Sequence, residues 1–226
     1  VRRPGLDPVL VREQFFVLAH DETRHMKPRL HVPALAAGLA GATVMDLLIA
    51  ERVTIESGTV VPDWHQREST GDPVTDDVLA IIMARTPGPA LPALIRSAAP
   101  GLYERTTAAL VHRGLIVELP ARRWRKKEYE IADEGVAVRV RAKVGYRMDG
   151  RDQPTPDADC LCGLVSALGL HGALLRGTRA EVEPLLLKVM AELPERARPS
   201  RHPVGRAPAV AAAVLAVVQD LATAAM

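Results

Sequence analysis

The stretch Val32 to Ala50, VPALAAGLAGATVMDLLIA, limits this chain more than any other. Leu35, Leu39, Ala42, Met45 and Ile49 recur at helical spacing, so the segment is predicted to be a helix. Gly38 and Gly41 lie inside it. Two glycines within one helix imply that another helix approaches closely. The rest of the chain must therefore supply helices to pack on this one. Aromatic residues make up only 3% of the sequence and hydrophobic residues 48%, and a core rich in alanine, leucine and valine suits helix-on-helix packing. The 226 residues are enough for one large domain or two small ones.

Further helices are predicted over Pro8 to Ala19, from Thr75 or Asp76 through Met83, from the TPGPALP turn to about Ala98, and over Gly101 to Arg113. Others are expected from Asp133 to about Tyr146, Ala158 to Leu170, Arg179 to Leu193 and Pro208 to Ala225. Gly114 should close the Gly101–Arg113 helix in a left-handed conformation. VTIESGTVV alternates around Ser57-Gly58 and reads as a short hairpin. A second hairpin is expected around Arg122–Lys127, between GLIVEL and YEI. The fold class is thus mainly α, with one or two small β-hairpins, one of them projecting and basic at its tip.

Cys160 and Cys162 sit two apart, too close to pair readily on a helix, and read as buried thiols of a reduced, intracellular protein. No cleavable signal is expected in VRRPGLDP. The apolar run Ala207 to Val218 falls short of the roughly 20 residues that span a bilayer. Together these features lead us to expect a soluble or peripheral protein.

Catalytic signatures do not emerge. The sequence contains no G-x-S-x-G elbow, P-loop or G-x-G-x-x-G. His20 and His25 in HDETRH are five apart, where a zinc-protease helix needs four, so the segment reads as a polar loop after a helix. TGDP reads as a turn and helix cap. No enzyme activity, cofactor or metal is expected.

One cluster asks for a function. Of the six residues Arg122, Arg123, Trp124, Arg125, Lys126 and Lys127, five are basic. The chain's net charge is only +2, so any attraction for anions must come from such local clustering. A solvated loop would account for the cations but not for Trp124 among them. Two functional readings remain. In one, Leu102 to Arg113 is a recognition helix offering Arg105, Thr106 and Thr107, and the hairpin is the wing of a DNA-binding regulator. In the other, the cations meet an anionic membrane and Trp124 settles at headgroup level. The helix contains no Asn or Gln, the usual partners of adenine edges, which favours the membrane.

The order of segments resembles the Golgi phosphoprotein 3 family, in its shorter actinobacterial form, from about Glu13 to Thr223. FFVLAHDET, AGLAGATVMDLLIAERVTI, STGDPVTDDVLAII, ERTTAALVHRGLI and AVAAAVLAVVQDLATA carry the resemblance, in that order. It implies a single compact helical domain over residues 1–226, a projecting hairpin and no activity of its own. Eukaryotic relatives are peripheral membrane proteins that bind phosphatidylinositol 4-phosphate and recruit glycosyltransferases. Their lipid-pocket positions fall here on His31, Ala40, Pro100 and Tyr103, none of which matches the family residue. Arg105 falls on a family Arg outside that pocket, and Arg24, Lys27, Arg29 and His31 are candidate substitutes. Relatives carry a bulky apolar hairpin tip where this chain has RRWRKK, a composition suited to adsorption on an anionic bilayer. The resemblance further implies a cytoplasmic protein on the inner face of a membrane, with homo-oligomerisation through the hairpin.

Overall fold

The computed structural model describes residues 9–66, 68–120, 127–151, 153–197 and 203–224. Among these the chain forms nine α-helices and three two-stranded antiparallel sheets, which makes it mainly α. The predicted central helix is α2 (Val32–Ile49), and every residue from Ala34 to Leu48 is buried. It is flanked by α1 (Val11–Leu18), α3 (Pro73–Met83), α4 (Leu91–Ala98), α5 (Leu102–His112), α7 (Pro156–Ala167) and α9 (Ala207–Ala224), all of which pack against it. The remaining helices, α6 (Glu134–Asp149) and α8 (Arg179–Ala197), lie outside this layer, against α7.

The glycines of α2 are where the neighbours come closest. A Cβ on Gly38 would lie 2.6 Å from the Phe15 ring of α1, and one on Gly41 would strike Val214 of α9. Both helices can therefore sit nearer to α2 than any side chain would allow. α9 continues through Gln219 and Asp220 to Ala224, close to the predicted bounds Pro208 to Ala225. Both α2 and α9 reach 18 residues, with mean hydropathies of 1.8 and 1.6. They meet one another within the bundle.

The hairpin β3 (Val53–Glu56) and β4 (Thr59–Pro62) forms as predicted, and Ser57 and Gly58 both have positive φ, as a two-residue type I′ turn requires. Gly114, at φ +72°, ends α5 with Leu115 N–H bonded to Leu110 O at 2.9 Å, as expected of a left-handed cap. Two readings need correction. The polar loop after α1 is a small hairpin of its own, β1 (His20–Asp21) and β2 (Lys27–Pro28), joined by a short 3₁₀ turn. The start of α3 lies earlier than Thr75, because Asp72 is its N-cap: Asp72 Oδ2 accepts from Thr75 N–H at 2.8 Å and from the Thr75 hydroxyl at 2.6 Å.

Candidate functional site

In sequence the basic cluster falls between β5 (Ile116–Glu118) and β6 (Tyr129–Ile131), which pair as a hairpin. Ile116 pairs with Ile131 and Glu118 with Tyr129, and the bond from Leu119 N–H to Glu128 O extends the ladder by one step. Leu115 and Ile116 are buried and anchor this ladder on the core, while Val117 is exposed. Arg122, Arg123, Trp124, Arg125 and Lys126 lie outside the described residues. Lys127 stands where the second strand leaves the tip, exposed, with Nζ 2.9 Å from the Glu118 carboxylate, whose hydrogen bond and charge raise the Lys127 pKa.

The other predicted anion ligands are held elsewhere. Arg29 donates from Nε to the His20 carbonyl at 3.0 Å, and its Nη2 lies 3.7 Å from both Asp21 and Glu22, so it braces the β1–β2 hairpin. Arg105 folds back along α5 to the Pro100 carbonyl at 3.3 Å, with Nε 3.5 Å from Asp77. His31 is the exposed N-cap of α2, and its side chain makes no capping bond. Burial narrows what the predicted recognition helix can offer to Arg105. Thr106 and Thr107 face the core, with the Thr107 hydroxyl bonded to Tyr103 O at 2.8 Å, so neither presents a base-reading group to solvent.

Beside the N-terminus of α2 lies a cleft of about 320 Å³ between α2, the α4–α5 link and α9. Val32, Pro33, Pro100, Tyr103, Val217 and Leu221 form much of its wall. Its rim carries Glu104 and also Arg96, which is paired with Asp220 at 2.9 Å. Tyr103 closes one end of a stack of rings: Phe16 lies on His20 with centroids 4.0 Å apart, and His20 on Tyr103 at 5.9 Å. His20 Nδ1 is 2.6 Å from Phe16 O and Nε2 is 3.4 Å from the Tyr103 hydroxyl. Burial lowers the His20 pKa to about 4, so the ring is neutral at pH 7, donating from Nδ1 and accepting at Nε2. Burial also raises the Tyr103 pKa.

Sequence reading missed several buried polar groups. Arg12, fully buried in α1, donates to Asp72 from Nη1 at 2.7 Å and from Nη2 at 3.0 Å. The TGDP turn thereby ties α1 to α3 as well as capping a helix. Asp46, inside α2, accepts Val11 N–H at 2.7 Å and Arg12 N–H at 3.1 Å and so caps α1 from another helix. Burial raises its pKa to about 7 against the effect of those bonds. The signal for it was a single carboxylate in the apolar run VMDLL. His20 lies in the core while His25 sits on the surface, 3.3 Å from Glu130, so the two do not converge. Cys160 and Cys162 are buried as expected, and burial pushes the Cys162 thiol up to about 12.

The family model for Golgi phosphoprotein 3 (GPP34) matches residues 11–221. The chain belongs to the Golgi phosphoprotein 3 family. No curated protein sequence matches it. Of the positions where the resemblance puts the family's lipid pocket, Pro100 and Tyr103 line the cleft and His31 directly precedes it. Ala40 is fully buried in the core. The Golgi phosphoprotein 3 framework is thus present with an apolar cleft at this place. Neither Pro100 nor Ala40 has a side-chain donor for a phosphate.

Proposed function

We propose that this Golgi phosphoprotein 3 family member is a cytoplasmic adaptor, without enzymatic activity of its own, that associates reversibly with the inner face of anionic membranes. The observation that carries the reading is the run RRWRKK, five cations and one Trp, in the link of a hairpin rooted in the core by Leu115 and Ile116. Each cation near an anionic surface contributes about 1 kcal/mol, and the attraction fades as salt shortens the Debye length. Trp124 would rest at headgroup depth. Anionic lipids as a class fit better than phosphatidylinositol 4-phosphate alone. A phosphorylated headgroup needs several charge-assisted donors in fixed geometry, and the family's pocket positions hold His31, Ala40, Pro100 and Tyr103. Self-association through the hairpin belongs to the same proposal by family analogy.

Vesicle co-sedimentation tests it, with wild type and Trp124→Ala on neutral vesicles, on vesicles containing phosphatidylglycerol or cardiolipin, and on vesicles doped with phosphatidylinositol 4-phosphate. We expect binding to every anionic vesicle, weaker at high salt and weaker again in the variant. A sharp preference for the inositide would refute the broad specificity. No vesicle binding, with tight binding to competing duplex DNA, would overturn the membrane reading.

A further inference from the structure

A second recess lies apart from the cleft. α6 and the approach to α7 enclose a groove of about 440 Å³, lined among others by Arg139, Lys143, Tyr146, Arg147, Gln153 and Thr155. The three cations are spaced four residues apart and share one face of α6, where like charges repel unless each is compensated. Each does have a carboxylate: Arg139 Nη2 lies 3.0 Å from Asp133, Lys143 pairs with Asp157, and Arg147 Nε lies 2.5 Å from Asp159. None of those carboxylates lines the groove, and Asp159 is fully buried. The recess therefore presents positive groups on its wall, held in position by acids that do not line it.

Lys143 keeps hydrogen-bonding capacity. It uses two of its three N–H donors, one on Asp157 and one on Gln14 Oε1 at 2.7 Å. Arg147, whose side chain is 7% exposed, is held between two acids, Asp159 and, on α8, Glu192, whose carboxylate lies 3.5 Å from Nη2. The Arg139 and Arg147 backbone positions are about 12 Å apart along the helix. That distance is too long for one carboxylate to bridge and suits an anion with charge distributed along its length. Between them the exposed Tyr146 ring, with Ala142 and Ala158, supplies an apolar surface, and Gln153 and Thr155 add neutral polar groups. The volume is at the scale of small-molecule sites.

We propose that this groove binds a phosphate ester of nucleotide size, its anionic part along Arg139, Lys143 and Arg147 and its body against Tyr146. The same chemistry is offered by a free nucleotide and by a phosphorylated lipid headgroup. Isothermal titration of the full chain with ATP, with glycerophosphoinositol 4-phosphate and with inorganic phosphate separates the sources. Arg139→Gln, Tyr146→Ala and Trp124→Ala are titrated in parallel, and their melting curves report whether each is folded. We expect one of the two organic phosphates to bind saturably at one site and more tightly than inorganic phosphate. Arg139→Gln should weaken it about tenfold, Tyr146→Ala several-fold, and Trp124→Ala not at all. Among the described residues the Tyr146 hydroxyl makes no hydrogen bond, so its variant keeps the test open if Arg139→Gln unfolds. The proposal is overturned if neither organic phosphate binds better than inorganic phosphate, or if folded Arg139→Gln and Tyr146→Ala bind like wild type.

Discussion

Replacing Asp72 with Ala should be among the most damaging single changes in the molecule, although the residue sits in a turn. Its carboxylate accepts two bonds from the Arg12 guanidinium and two from Thr75, one of them from the backbone N–H at the start of α3. Losing an N-cap costs about 0.5–2 kcal/mol. Leaving a buried charge without its partner costs about 3–5 kcal/mol, and the Arg12 side chain is only 1% exposed. The two losses overlap, and a fifth of the Asp72 side chain meets solvent, so we expect about 3–5 kcal/mol in total. For a chain of this length that lowers Tm by roughly 6–20 °C. Urea denaturation of Asp72→Ala, Arg12→Met and the double variant measures it. The double variant should be more stable than the sum of the single changes predicts, because removing the guanidinium removes the orphaned charge. A cost below about 1 kcal/mol for Asp72→Ala, or strict additivity, would refute the reasoning.

Two buried groups should give opposite pH slopes over nearly the same range. Native His20 refuses a proton that the unfolded chain accepts, so stability falls as pH drops from 6.5 towards 4, by about 3 kcal/mol at most. Native Asp46 keeps a proton that the unfolded chain releases, so its contribution rises as pH drops from 7 towards 4. Denaturation at pH 7, 6 and 5 should show His20→Gln losing less stability on acidification than wild type and Asp46→Asn losing more; parallel profiles would contradict both assignments. Gly41→Ala should destabilise by about 1–3 kcal/mol through its clash with Val214, and Val214→Ala in the same chain should recover part of that loss. If Gly41→Ala melts like wild type, α2 and α9 are not in the contact described.

The parts legible in the sequence were those decided by neighbours along the chain. α2 could be read from its spacing, the β3–β4 hairpin from Ser57-Gly58, and the end of α5 from Gly114. Each depends on local backbone preference or periodicity. What could not be read were pairings across long separations. Asp72 looked like a cap because its Thr75 partner is three residues away, but its Arg12 partner is sixty residues distant. Arg29 and Arg105 looked available to an anion because the groups that hold them are set by folding: the His20 carbonyl across a hairpin and Asp77 on another helix. The cations of α6 never formed a run in sequence and became a cluster only when helical spacing stacked them.

The seat at Gly41 has a consequence for synthesis. α9 reaches the surface of α2 that Gly41 leaves open, yet Val214 is added about 170 residues after it. At 5–20 residues per second that interval is roughly 10–35 s. Throughout it, a helix of mean hydropathy 1.8 has one flank with no partner yet made. The order in which the chain is built thus leaves its most apolar element the longest without full cover, and closure of the core is a late event in the life of each new molecule.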